Sequence, residues 1–316
     1  MASFPQTLID NPVAEAELNH QQRAGNQQKW RRWPAIFGVG LSIALISNLA
    51  LLIAPQIAAL LSVSGVDLSD LLHGWFGTIT VLMGALIMIH HLSFSTAAIQ
   101  LASTSIAREK QGRTWESLLL TGVDARRIIL GKWSATMQTL WQAYRPLLAL
   151  RFVVAMWMGL SSGFARVTPF VNTPPLLHLL PIATITAVFP LCYAAFMVTL
   201  GLLASLLVGG ETAAYRVASL FQFSSIVISM TLIVLSFALS FAEVEPGLVS
   251  LIPALFVTPL DGGMIALIGL IANTGLTSLY YLIGLVLCVA FYGALTLLML
   301  RAAQALAVRQ RALPPI

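Results

Sequence analysis

Two histidines stand side by side, His90 and His91, inside a long apolar run. Imidazole changes charge near neutral pH and is a common metal ligand, so this pair suits a proton carrier, a cofactor ligand or a group lining a pore. No second cluster of ligand-type residues accompanies it, which favours a plainer reading: two rings hydrogen-bonded to a neighbouring helix. Gln138, Gln142 and Arg145 fall at i, i+4 and i+7, on one face of a helix. With the histidines that face suits a polar path or lipid headgroups; if its helix begins outside the membrane, it is a wet face. Asp261 precedes Gly262 and Gly263 and reads as a turn residue rather than a catalytic acid. The two cysteines, Cys192 and Cys288, sit in apolar runs and read as small buried hydrophobes. No Cys-x-x-Cys or His-Glu-x-x-His run occurs, and Gly131-Lys132 is followed by Trp133, where a phosphate-binding loop needs Ser or Thr. The sequence therefore predicts no catalytic residue, no metal or cofactor in this chain, and no enzyme activity.

The elements that position these residues follow from composition. Of 316 residues, 58% are hydrophobic and 9% charged, against about 25% charged in soluble domains. A polytopic, all-α membrane protein is expected, with the fold built largely inside lipid. The net charge of +5 does not point to nucleic acid, because the basic residues flank apolar runs and so face anionic lipid. A crossing helix needs about 20 apolar residues, and six segments qualify: 34–61, 72–102, 128–163, 179–208, 217–241 and 278–300. The proposed inner segments carry nearly every Lys and Arg, and the outer loops only Arg166. The positive-inside rule then places both termini in the cytoplasm of a multi-pass protein of the cell membrane. Segment 1–33 has no secretory signal. It opens with Asn11-Pro12, a helix-start pair, predicting a short helix to about Arg23, and ends with Lys29, Trp30, Arg31, Arg32 and Trp33 along the inner surface. Helix 128–163 is too long for one crossing, so its first turns should project; Arg145 and Arg151 should then snorkel to the inner surface. Residues 246–277 are broken by Pro253, Pro259 and Gly262-Gly263, and read as a re-entrant outer hairpin before the sixth span. Residues 303–316 form a cytoplasmic tail.

Between the second and third spans, the segment 103–127 carries Arg108, Lys110, Arg113, Arg126 and Arg127 beside Trp115, Leu118, Leu119 and Leu120. Thr114 and Thr121 can cap short helices. The pattern predicts a short helix across the inner surface, offering aromatic, leucine and charged groups to a partner. An amphipathic helix resting on lipid satisfies the same pattern.

The residues Ala107-Arg108-Glu109-Lys110, Thr114-Trp115-Glu116-Ser117-Leu118-Leu119-Leu120-Thr121 and Ile129-Leu130-Gly131-Lys132 resemble the signature of ABC-2 type transporter permeases. Asn11-Pro12-Val13 with Glu17-Leu18 is similar to the run that opens many of them. Arg113 stands where the family usually has Gly, and Gly122 where Pro is common. The resemblance implies a coupling helix after the second span that sits in a groove of a separate ATPase subunit. It implies two such ATPase copies carrying ATP and Mg, and a second permease chain, identical or related. Arg108, Glu109, Lys110, Arg113, Thr114, Trp115, Glu116, Leu118, Leu119 and Thr121 become the docking residues, and the inner loop 209–216 a second contact. Transport, with export the expected direction, is the function implied. The alternative is an accessory subunit that keeps a permease-like fold without transporting. An intramembrane enzyme would need ionisable or nucleophilic groups at one depth, and apart from His90-His91 the spans hold none. A secondary transporter would need midplane charges in repeated halves.

Overall fold

Apolar runs without internal caps propagate as single long helices, because nothing in them offers the backbone another partner. The computed structural model describes residues 11–23, 68–120, 123–165, 175–241, 258–263 and 276–312. Within them every element is helical: α1 (Pro12–Arg23), α2 (Leu68–Gln111), α3 (Thr114–Leu120), α4 (Ala125–Ala165), α5 (Pro175–Leu207), α6 (Glu211–Phe241), the single turn α7 (Thr258–Asp261) and α8 (Leu276–Ala312). Four stretches are long and apolar enough to cross a bilayer: Gly84–Gln111, Thr184–Leu207, Glu211–Leu232 and Tyr281–Gln310. The expected first span, 34–61, the interfacial run 26–33 and most of the hairpin 246–277 lie outside the described residues.

The helices run further than hydropathy alone predicts. α2 has 44 residues, about 66 Å at 1.5 Å per residue, twice the roughly 30 Å of hydrocarbon. It continues past residue 102 to Gln111, because Ala107, Arg108, Glu109 and Lys110 are good helix formers and change only the solvent, not the backbone preference. It stops where Arg113 takes a left-handed conformation, φ 55°, with Gly112 N–H donating to Arg108 O and Arg113 N–H to Lys110 O. α4 starts at Asp124, whose carboxylate accepts the Arg126 N–H and whose carbonyl accepts those of Arg127 and Ile128. α6 begins at Glu211, which shortens the expected loop 209–216 to 208–210, and α8 carries most of the expected tail as helix to Ala312. The short N-terminal helix forms as the sequence predicts: Asn11 Oδ1 caps Val13 N–H at 3.1 Å, Pro12 occupies the first turn, and the helix ends at Arg23.

α5 is the central helix, packed by α2, α4, α6 and α8. Its crossing with α2 is tight at Gly201, where a Cβ would lie 2.8 Å from Ala102 Cβ and 3.0 Å from Ile99 O. Gln222 on α6 is buried and donates to Ser95 Oγ (2.8 Å) and Thr96 Oγ1 (3.3 Å) on α2. An aromatic cluster fills the middle. Phe94 and Tyr144 have ring centroids 5.0 Å apart, and Tyr193 and Tyr292 5.1 Å. One end of the bundle, the basic end, carries Lys110, Arg126, Arg127 and Arg309, while α7 packs inside the bundle against the middle of α2, α4 and α5.

Candidate functional site

At the basic end three helices meet around one buried ammonium. Lys132 lies on the second turn of α4, 1% exposed. Its Nζ donates to Glu109 Oε1 (2.6 Å), Glu17 Oε2 (3.0 Å) and the Ser105 carbonyl (3.2 Å). Arg108 Nη2 reaches the same Glu17 oxygen at 3.3 Å, and its Nη1 lies 3.1 Å from His20 Nδ1. Two cations and two carboxylates thus neutralise one another, which is what burial of charge requires. Burial opposes ionisation of Glu17, but the Lys132 charge, its hydrogen bond, Arg108 and the Gln21 amide outweigh it and hold the carboxyl below its usual range.

The same contacts fasten α1 along α4. Asn11 Nδ2 donates to Arg127 O at 2.9 Å, Gln21 Nε2 to Thr136 Oγ1 at 3.2 Å, and Thr139 Oγ1 to Gln21 Oε1 at 2.8 Å. The helices approach closely because residue 131 is Gly: a Cβ there would lie 2.7 Å from Asn11 Nδ2 and 3.1 Å from Val13 Cβ. α1 therefore runs parallel to the first turns of α4.

The residues the sequence singled out for docking divide into two groups. Arg108, Glu109 and Lys110 lie on the last turn of α2 and engage this chain. Lys110 Nζ donates to Leu206 O at 2.6 Å, and Gln310 Nε2 to the same oxygen at 2.9 Å, so the final turn of α5 is capped from two helices. Trp115, expected as an aromatic anchor for a partner, is corrected: it is 5% exposed and belongs to the hydrophobic core. A seven-residue helix cannot hold itself together in water, so its largest apolar group turns into the bundle. Leu118 is half-buried against the same core. Arg113, Thr114 and Glu116, with Ser117, are exposed and form the outer face of α3. The Thr114 hydroxyl donates to Glu109 O at 3.2 Å, tying the start of α3 to the end of α2. The Leu119 side chain and Thr121 lie outside the described residues.

The proposed polar path also divides. His90 and His91 are both fully buried. His90 stacks near Phe94 and Tyr144, and His91 near Phe189 and Tyr193. His91 Nε2 lies 2.9 Å from Pro259 O, across 168 residues, so its partner is the α7 turn. Arg151 is a second correction. It is 3% exposed and donates to Gly262 O at 3.1 Å, about 28 Å along α4 from Lys132. Its side chain turns into the bundle toward the α7 turn instead of extending to the inner surface. Gly262 and Gly263 have φ of 69° and 93°, and their lack of side chains lets the turn press on His91, Arg151 and Thr186. Gln138 is half-buried, and Gln142 and Arg145 are exposed on the outside of α4, away from the histidines.

Glu17, Ser105, Gln21 and the buried role of Lys132 escaped the sequence reading. Glu17 and Lys132 are 115 residues apart, and the two motif runs that contain them give no sign that they pair. The available signal was Lys132 itself, flanked by Ile128, Ile129, Leu130 and Trp133: a cation in such a setting has to find carboxylates.

Among the described residues no group of three His, Cys, Asp or Glu is arranged to hold a metal. Comparison with protein-family models, with curated proteins and with solved structures finds no match to this chain. The class defined by fold and composition is an all-helical, multi-pass membrane protein.

Proposed function

We propose that this chain is the membrane-spanning subunit of an ABC-2 type transporter, driven by a separate ATPase that docks on α3. One observation carries the reading. A short helix bridges the ends of two long helices that reach beyond a bilayer's thickness, with its tryptophan sunk in the core and Arg113, Thr114, Glu116 and Ser117 turned outward. A push on that face passes directly into α2 and α4, because both flanking connections are only two to four residues long. Arg108, Glu109, Lys110 and Lys132 then act as struts behind the platform, while the outer residues of α3 meet the partner. In this reading six spans cross the membrane, with 34–61 and 128–163 added to the four apolar helices. Both termini are cytoplasmic, a second permease chain completes the pore, and export is the direction.

The test is affinity capture of the tagged full chain from its native membrane in mild detergent, beside an Arg113→Glu/Glu116→Arg variant. Both positions are exposed, so the fold is expected to survive. An ATPase with nucleotide-binding motifs that accompanies the wild type and is lost from the variant supports the docking face. Equal capture by both, or no ATPase with either, overturns it and favours an accessory subunit without transport.

A further inference from the structure

On the outside of α4, Gln138, Trp141, Gln142 and Arg145 stand at i, i+3, i+4 and i+7 and so share one face. Trp141 is 42% exposed, and Gln142 and Arg145 are exposed outright. The opposite face, with Thr139, Leu140, Tyr144 and Leu147, is buried.

The depth of this face follows from Tyr144. Its ring lies 5.0 Å from that of Phe94, and its hydroxyl donates to Ala187 O at 2.6 Å. Phe94 and Ala187 belong to Gly84–Gln111 and Thr184–Leu207, stretches long and apolar enough to cross a bilayer. Arg145 therefore leaves the backbone at bilayer level. Side chains on a helix lean toward its N-terminus, here the basic end, so the guanidinium is carried toward the headgroups of the adjoining leaflet. Gln142 and Gln138 lie one and two turns further the same way, and α1, held by Gln21 to Thr136 and Thr139, borders the face.

We propose that this face holds the headgroup of an acidic phospholipid from the leaflet at the basic end. Arg145 makes no ion pair or hydrogen bond among the described residues, and lipid tails cannot solvate it. A guanidinium meets a phosphate through two parallel N–H donors, the Gln138 amide adds neutral donors, and an exposed indole is at home at the interface. A second copy is the poorer occupant, since two-fold pairing about this face would set Arg145 against Arg145.

The experiment reads Trp141 among the seven tryptophans as the difference between the wild type and Trp141→Phe. The full chain is reconstituted in phosphatidylcholine vesicles containing equal mole fractions of either brominated phosphatidylglycerol or brominated phosphatidylcholine. Stronger quenching by the acidic lipid is expected, with a relative affinity about fivefold higher, the effect of one cation at the membrane surface. Arg145→Gln should remove the preference, Arg145→Lys should keep most of it, and Arg309→Gln, which removes a basic-end cation on a different helix, should leave it intact. Equal quenching by the two lipids in the wild type overturns the proposal, as does a preference that survives Arg145→Gln. Absence of quenching by either lipid also overturns it, because protein then covers Trp141. Should Arg145→Gln fail to fold, the wild-type comparison of the two lipids still decides.

Discussion

Lys132→Met removes the ammonium at the meeting point of α1, α2 and α4 while keeping the length and apolar stem of the side chain. Two carboxylates then face each other across the vacated position. The Glu17 side chain is 4% exposed, and that of Glu109 is 20% exposed. Breaking a buried, hydrogen-bonded pair from one side costs about 3–5 kcal/mol. Arg108 still reaches Glu17 at 3.3 Å, so the lower end applies, about 3 kcal/mol. Glu17→Gln alone leaves Lys132 paired with Glu109 and should cost about 1–2 kcal/mol. In the double variant the buried carboxylate is gone and Glu109 can turn to water, so the loss should be about 2 kcal/mol, well short of the sum. Thermal unfolding in mild detergent measures this through a fall in Tm on the order of 5–10 °C for Lys132→Met. Limited trypsin digestion measures the local consequence, release of α1 by cleavage after Arg23, since the ion network and the Asn11, Gln21 and Thr139 bonds are what hold it. Wild-type Tm and protection in Lys132→Met, or single losses that simply add in the double variant, would refute the reasoning.

Acid should act on the same joint. The Glu17 carboxyl is held below its ordinary value near 4.5, so its contribution is full above that pH and is lost as pH falls through the folded-state value. Tryptic-type release followed with an acid-active protease should rise on acidification in the wild type and be flatter in Glu17→Gln; identical pH profiles would refute this. Gly201→Val drives a branched side chain into Ala102 and the Ile99 carbonyl and should cost about 2–3 kcal/mol by overpacking, read as lowered Tm and loss of monodispersity; an unchanged Tm would mean that the α2–α5 crossing is looser than drawn. Arg113 holds a left-handed backbone, φ 55°. Arg113→Val should lose about 1–2 kcal/mol there while Arg113→Gly loses nothing, and equal Tm for the two variants would contradict the strained turn.

Helices and their approximate ends were legible in the sequence because hydrophobic runs and caps are local signals. Asn11-Pro12 set the start of α1 through a cap two residues away, whereas the Asp124 cap that starts α4 at Ala125 was passed over for the hydropathy rise at 128. Where the boundary depended on solvent rather than backbone, the reading stopped short: hydropathy falls near residue 102, yet the helix goes on to Gln111 because charged helix formers follow. Side-chain direction was the less legible part. Trp115 and Glu116 are neighbours with opposite fates, one in the core and one exposed, and seven residues are too few for a periodicity to tell which face turns inward. Pairings across long separations, Glu17 with Lys132 and His91 with Pro259, left no local trace at all.

The left-handed Arg113 connects these levels. The ABC-2 pattern that the surrounding residues resemble usually has Gly at this position, and here φ is +55°, the region in which only glycine rests without strain. A turn that keeps this shape despite an arginine is being held by something stronger than its own preference. The restraints are the Thr114 hydroxyl on Glu109 O, the two backbone bonds closing α2, and Trp115 anchored in the core two residues beyond. Those restraints fix where α3 emerges, and in return the strained position projects the Arg113 side chain outward beside Glu116. If the outer face of α3 meets a partner, the arginine is tolerated at a glycine's position because it adds a charge to that face, and Arg113→Gly should then weaken partner capture while leaving the fold as stable as before.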